Sequence, residues 1–174
     1  MTSQDVLFET EPRYCIDTNV IVSFLKGTDD EHYGADVFAP QWAVFERLIL
    51  GGVIVAPRRV EDELSMWHKT VPAMGPWLKA RRHMFRDVAT EAQLLSAKRI
   101  VARYPIYGET MNYLGDLEVM TLAAALGLTV ISLESENPQP SLRRPKIPNV
   151  CKEFGIDCVS VAGFLRREAA RSAP

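Results

Sequence analysis

Three short apolar runs punctuate this chain: "YCI" at Tyr14–Ile16, "VIV" at Val53–Val55 and "LTVIS" at Leu128–Ser132. Such runs do not alternate apolar with polar, as a strand wetted on one face would. Continuous apolar strands are covered on both faces, the habit of parallel sheets. The stretches between them keep helical spacing. In "PQWAVFERLILGG", Trp42, Phe45, Leu48 and Ile49 recur on one helical face, with Pro40 in the first turn and Gly51–Gly52 as the stop. Buried strands joined by helices predict an α/β fold with a central, mostly parallel sheet.

The pattern predicts one domain over residues 13–174, behind a loose leader at residues 1–12. Strands are expected at 14–17, 53–57, 128–134 and over "IDCVSV", and helices at 19–26, 40–50 and 58–68. Between Trp67 and Thr110 lies a helical insert, with helices near 76–86 and 90–103 and a turn at "YPIYGE". Helices at about 110–126, over "NVCKEFG" and over "AGFLRREAARS" complete the chain.

Composition excludes several classes. No apolar run approaches the ~18 residues that a membrane span needs. "MTSQDVLFETEPR" has neither the basic nor the apolar region of a signal peptide. The three cysteines lack metal-site spacing and the three histidines do not cluster. That usage predicts free thiols, a cytoplasmic location and no zinc site. A net charge of −2 neither announces nor excludes a nucleic-acid partner.

The acids are more informative. In an open parallel sheet, sites form beyond the carboxyl ends of the strands. Asp17 and Glu134 follow predicted strands there. Glu63 lies in the helix after strand two, and Asp116 begins the helix before strand three. In "EDE", Glu63 falls about 60° from the centre of the apolar face set by Val60, Leu64 and Trp67, while Asp62 points to solvent. Taken singly, Asp17 and Asp116 are also good helix caps, Glu63 an ordinary helix acid and Glu134 a loop acid. Together, carboxylates converging on one sheet edge repel unless a cation neutralises them. Hard oxygen donors select Mg²⁺ or Mn²⁺.

"IDTNVIVSFL", "EDEL", "GDLEVMTLAAALG" and "TVISLE", in this order, resemble a PIN domain, the fold of metal-dependent ribonucleases. The resemblance covers about residues 13–162, and toxins of the VapC type are broader relatives. It implies a three-layer α/β/α fold and an endoribonuclease in which Asp17, Glu63 and Asp116 hold Mg²⁺ or Mn²⁺. Glu134 takes the fourth place, where many PIN domains have Asp in "T-x-D"; here the motif reads Ser132–Leu133–Glu134. Thr18, Asn19 and Ser132 become supporting residues, with Asn19 equally a helix cap. The implied products carry 5′-phosphate and 3′-hydroxyl ends. The implied partners are RNA, an antitoxin protein and a second copy of the chain, and no membrane.

RNA needs cationic contacts. "RRPK" supplies Arg143, Arg144 and Lys146 directly after Glu134. Arg58–Arg59 and "KARRHMFR" (Lys79–Arg86) are competing patches. Two other readings stand beside the ribonuclease. A strand ending in "DTN" also suits a phosphohydrolase with an aspartyl nucleophile, although the second Asp of such enzymes is Asn19 here. The Glu134 departure suits a PIN-like module that binds RNA or protein without cleaving.

Overall fold

The computed structural model describes residues 11–29, 32–87 and 89–173. The expected leader falls largely outside them. Among the described residues the chain is α/β, with five parallel strands flanked by helices.

β1 (Tyr14–Ile16) leads into α1 (Thr18–Lys26) and α2 (Ala39–Leu50), and β2 (Ile54–Pro57) into α3 (Arg58–Ser65). The insert begins with a 3₁₀ turn at Met66–Lys69 and α4 (Met74–Ala80). It continues through a 3₁₀ turn at Arg82–Met84, β3 (Phe85–Arg86), α5 (Glu91–Arg103) and α6 (Ile106–Glu109). A 3₁₀ turn at Met111–Tyr113 then enters α7 (Leu114–Leu126). β4 (Thr129–Ile131), α8 (Ile147–Phe154), β5 (Cys158–Val159) and α9 (Val161–Arg171) follow.

Three expectations are corrected here. The insert is not wholly helical, because Phe85–Arg86 pairs in parallel with Ala56–Pro57 and extends the sheet. Two residues are too few to show a period, so the strand was absorbed into a helical pattern. "YPIYGE" forms the helical turn α6 rather than an open turn. The helix through 58–68 stops at Ser65, and Trp67 belongs to a 3₁₀ turn.

The strand order is β3-β2-β1-β4-β5. β1 is central, and its three residues are buried, Cys15 and Ile16 completely. Successive side chains leave a strand on opposite faces. Tyr14 meets Phe164 of α9 edge-on at 5.0 Å, and Phe164 in turn packs on Phe45 of α2 at 4.4 Å. α7 packs against β1, β2 and β4, with α5 and α8 against it. The sheet is thus sandwiched, and burial of its apolar side chains supplies the main stabilisation, at roughly 25 cal/mol per Å².

The C-terminal helix is fixed by a polar bond as well. Tyr14 Oη donates to buried Glu168 Oε1 at 2.6 Å, and Arg13 Nη2 donates to Glu168 Oε2 at 3.1 Å. Burial, and then the Glu168 carboxylate, push the Tyr14 phenol up. Gly27 (φ 63°) and Gly127 (φ 66°) end α1 and α7 in the left-handed conformation that side chains disfavour, and the second turns the chain back into β4.

Candidate functional site

The chain leaves β1 toward β2 on one side and β4 lies on the other, so the order of the sheet reverses beside β1. Open α/β sheets form their crevice at that place. Asp17 is the first residue beyond β1. Its N–H donates to the Ile131 carbonyl at the end of β4 (3.1 Å), which pins its backbone to the neighbouring strand. It is only 3% exposed.

Asp17 is also the N-cap of α1, its Oδ1 accepting from the Thr18 N–H at 2.9 Å. The cap role that Asn19 shared in the sequence therefore belongs to Asp17, and Asn19 is exposed in the first turn. The cap uses one oxygen. Asp17 Oδ2 is buried and has no hydrogen-bond partner among the described residues. A buried, unpaired carboxylate oxygen is costly in a folded protein.

Glu63 arrives from α3, half-buried as its helix phase predicts, while Asp62 is exposed. Thr18 Oγ1 donates to Glu63 Oε2 at 2.5 Å. The other side of this carboxylate lies against the backbone of Gly115. A Cβ built on Gly115 would stand 2.2 Å from Glu63 Oε1 and 2.8 Å from Oε2. Only a glycine leaves room for the acid. Asp116 follows at the third position of α7. It lies inside the first turn, which begins at Leu114 behind a Tyr113 cap, so the cap reading of Asp116 is set aside.

The four acids share one electrostatic field. Asp17 is raised well above the usual carboxylate range by burial, then by Asp116, Glu63 and Glu134, against a small opposing effect of the Thr18 N–H. Asp116 is pushed up to about 7, chiefly by burial, then by Glu134 and Glu63, with Lys146 opposing. Two carboxyl groups held up by burial and by the acids around them are a common mark of a functional site.

Glu134 plays a different part from the other three. Its Oε2 accepts from the Ile147 N–H at the start of α8 (2.7 Å), and its Oε1 from Lys146 Nζ (3.1 Å). Buried Ser132 accepts the Glu134 N–H on Oγ at 3.1 Å, which shapes the turn. Both Glu134 oxygens are thus engaged on the far side of the crevice. Lys146, expected as an RNA contact, is drawn onto Glu134. Arg143 and Arg144 are exposed, their N–H groups donating to Ser141 Oγ. In the competing patches Arg58 pairs with Glu61 and Asp87, and Arg81 with Glu46.

Among the described residues, no three His, Cys, Asp or Glu side chains converge closely enough to form a ready-made metal cage. The acids stand within one another's field, with Glu63 turned to Thr18 and Glu134 turned to α8.

Two neighbours of the cluster escaped the sequence reading. Gly115 is one; a glycine inside a helical pattern is the available signal for close backbone approach. Tyr107 of α6 is the other. It is 2% exposed, and its hydroxyl has no hydrogen-bond partner among the described residues. Burial, then Asp116 and Glu134, push this phenol up. The cysteines are free, as expected, with Cys15 and Cys151 buried. No helix among the described residues is long and apolar enough to cross a membrane.

A family model described as a domain of unknown function (DUF4411) matches residues 14–172. No curated protein matches the chain.

Proposed function

The chain belongs to the DUF4411 family, and we propose that it is a metal-dependent endoribonuclease acting at the Asp17–Glu63–Asp116 cluster. The observation that carries this reading is the Asp17 carboxylate, buried at the sheet switch point with one oxygen unpaired among the described residues and two further acids beside it. The donor set is all hard oxygen, which fits Mg²⁺ or Mn²⁺. A cation would pair the orphan oxygen and offset the burial and the mutual repulsion that raise the Asp17 and Asp116 carboxyls.

Asp17, Glu63 and Asp116 would hold the ion. Bound there, Mg²⁺ or Mn²⁺ lowers the pKa of water and offsets charge on the phosphodiester. The chain's own residues set the geometry. Thr18 fixes the orientation of Glu63 through its hydroxyl. β4 and the Ser132 turn aim Glu134, whose engagement with Lys146 and α8 makes it a positioning residue behind the metal-binding acids. Exposed Arg143 and Arg144 offer phosphate contacts on the loop between Glu134 and α8. RNA is the substrate, with hydrolysis leaving 5′-phosphate and 3′-hydroxyl ends. An antitoxin protein and a second copy of the chain are the partners consistent with the PIN resemblance.

The test combines cleavage with metal-linked stability. Mn²⁺ binding only the folded state should raise the melting temperature of the wild type. Asp17→Asn keeps a capping oxygen, so its apo stability should match or exceed that of the wild type, with the Mn²⁺ shift and cleavage lost. A wild type that neither shifts with Mn²⁺ or Mg²⁺ nor cuts RNA would favour the non-catalytic module.

A further inference from the structure

The three cysteines gather on one face of the sheet. β5 lies against β4 with Cys158 opposite Val130, and β4 lies against β1 with Val130 opposite Cys15. Residues paired across neighbouring parallel strands project on the same face. Cys15 and Cys158 therefore stand in one row, about 10 Å apart at two strand spacings. A disulfide spans at most about 7 Å between Cα atoms, so these two cannot join directly. Cys151 comes down on the row from α8, which packs against β5. Its thiol donates to the Cys158 sulfur. The Ile156 N–H donates to the Cys151 carbonyl at 2.8 Å, which fixes the short turn between the two cysteines.

The contact is asymmetric. Cys15 and Cys151 are completely buried, whereas Cys158 is half-buried on the last strand of the described sheet. The hydrogen bond from Cys151 lowers the Cys158 thiol from its ordinary range, against burial and the Asp157 and Glu134 carboxylates. The same bond, and then burial, push Cys151 up, and burial pushes Cys15 up. An oxidant attacks the sulfur that combines access with thiolate character, and a thiol already in contact resolves the product. Cys158 fills the first role and Cys151 the second.

We propose that Cys158 and Cys151 are a modification site for peroxide, closing reversibly to an intramolecular disulfide between β5 and α8. The Cys158 thiolate attacks one peroxide oxygen, the O–O bond breaks, and hydroxide leaves and takes a proton as water. The sulfur is oxidised to a sulfenic acid. The Cys151 sulfur then attacks it, the S–O bond breaks, and the hydroxide leaves with the Cys151 proton as a second water. Two thiols and one peroxide thus give one disulfide and two waters. The inference stands apart from the ribonuclease reading, yet the bond acts on the same crevice. Ile147, one turn before Cys151, donates to Glu134, and the Ser132 N–H donates to the carbonyl of Val159, next to Cys158. Drawing the sulfurs to a bond length of about 2.05 Å pulls on both supports of the Glu134 turn.

The experiment treats the folded, reduced wild type with hydrogen peroxide, alkylates the remaining thiols and maps the product by tryptic mass spectrometry. Trypsin cuts after Lys152, between the two cysteines, so the disulfide links peptides 147–152 and 153–166. That linked pair should accumulate, lose its link in dithiothreitol, and leave Cys15 free. Cys151→Ala should instead hold Cys158 as a sulfenic acid that dimedone traps, and Cys158→Ser should leave Cys151 unoxidised. Circular dichroism checks that both variants fold. The Ile147 amide resonance should move between the reduced and oxidised wild type and return on reduction. A link through Cys15, a disulfide between two molecules, or Cys158 left alkylated in the folded wild type overturns the assignment, whatever the variants do. A Cys151–Cys158 link that leaves the Ile147 resonance in place refutes the action on the Glu134 turn. None of these results depends on RNA cleavage or on a metal, so the ribonuclease reading stands or falls separately.

Discussion

Gly115→Ala separates the fold from the chemistry. The new methyl would stand 2.2 Å from Glu63 Oε1, 2.7 Å from Cδ and 2.8 Å from Oε2. To reach ordinary contact at 3.4 Å, Oε1 must retreat by about 1.2 Å. Every atom it meets is at the far end of a half-exposed side chain, so Glu63 swings away while α7 stays in place. The Thr18–Glu63 bond breaks, at a cost of roughly 1.5–3 kcal/mol for a charge-assisted bond, reduced by exposure. Alanine returns up to about 1 kcal/mol of helix propensity. The apo protein should therefore lose about 1 kcal/mol or less, a drop of roughly 2–4 °C in melting temperature. Cleavage should fall far more, on the order of 10²-fold, because a displacement of about 1 Å in a positioned ligand costs that much. Urea denaturation, a Mn²⁺ melting titration and an RNA cleavage assay on one preparation read all three. Wild-type cleavage and metal response in Gly115→Ala would show that Glu63 does not act from its present position. Destabilisation by several kcal/mol would show that the carboxylate cannot yield.

Two further outcomes follow from the same site. Because the folded state raises the Asp116 carboxyl from its ordinary value near 3.8 to about 7, the folded form holds its proton more tightly than the unfolded chain. The apo protein should therefore lose stability as pH rises from about 4 to about 7, and Mn²⁺ affinity should rise over the same interval. Chemical denaturation and metal titration across that range check both signs, and a flat apo profile would refute the shared field. Tyr107→Phe removes a buried hydroxyl that lacks a partner among the described residues, so apo stability should be unchanged or up to about 1–3 kcal/mol higher. A clear loss on urea denaturation would mean that ordered water pairs the hydroxyl.

The legible parts of this molecule are those whose signal is local. β1, β2 and β4 were readable because strands covered on both faces are apolar throughout. Glu63 could be told from Asp62 because helical phase alone decides which acid borders the buried face, and the structure leaves Asp62 exposed. What escaped depends on elements meeting across the fold. β3 has two residues and exists only because Ala56–Pro57 runs beside it. Nothing near Gly115 in the sequence records that Glu63 will press against its backbone. Lys146 reads as one more free cation until the loop folds back and places it on Glu134. Trp67 fits the apolar face of a helix that in fact ends at Ser65.

Among the described residues the sheet ends in β3 on one side and β5 on the other, two residues each. β3 finishes on exposed Arg86 opposite Pro57, a residue without an N–H to offer. An unpaired strand edge is a template on which another chain can lay its own backbone, and its length sets how firmly that chain is held. Edges this short, one of them charged, give an incoming strand almost no ladder to extend. Concentrated solutions of the native protein should accordingly resist fibril growth and domain exchange through the sheet, and encounters between molecules are left to side chains on the helical layers.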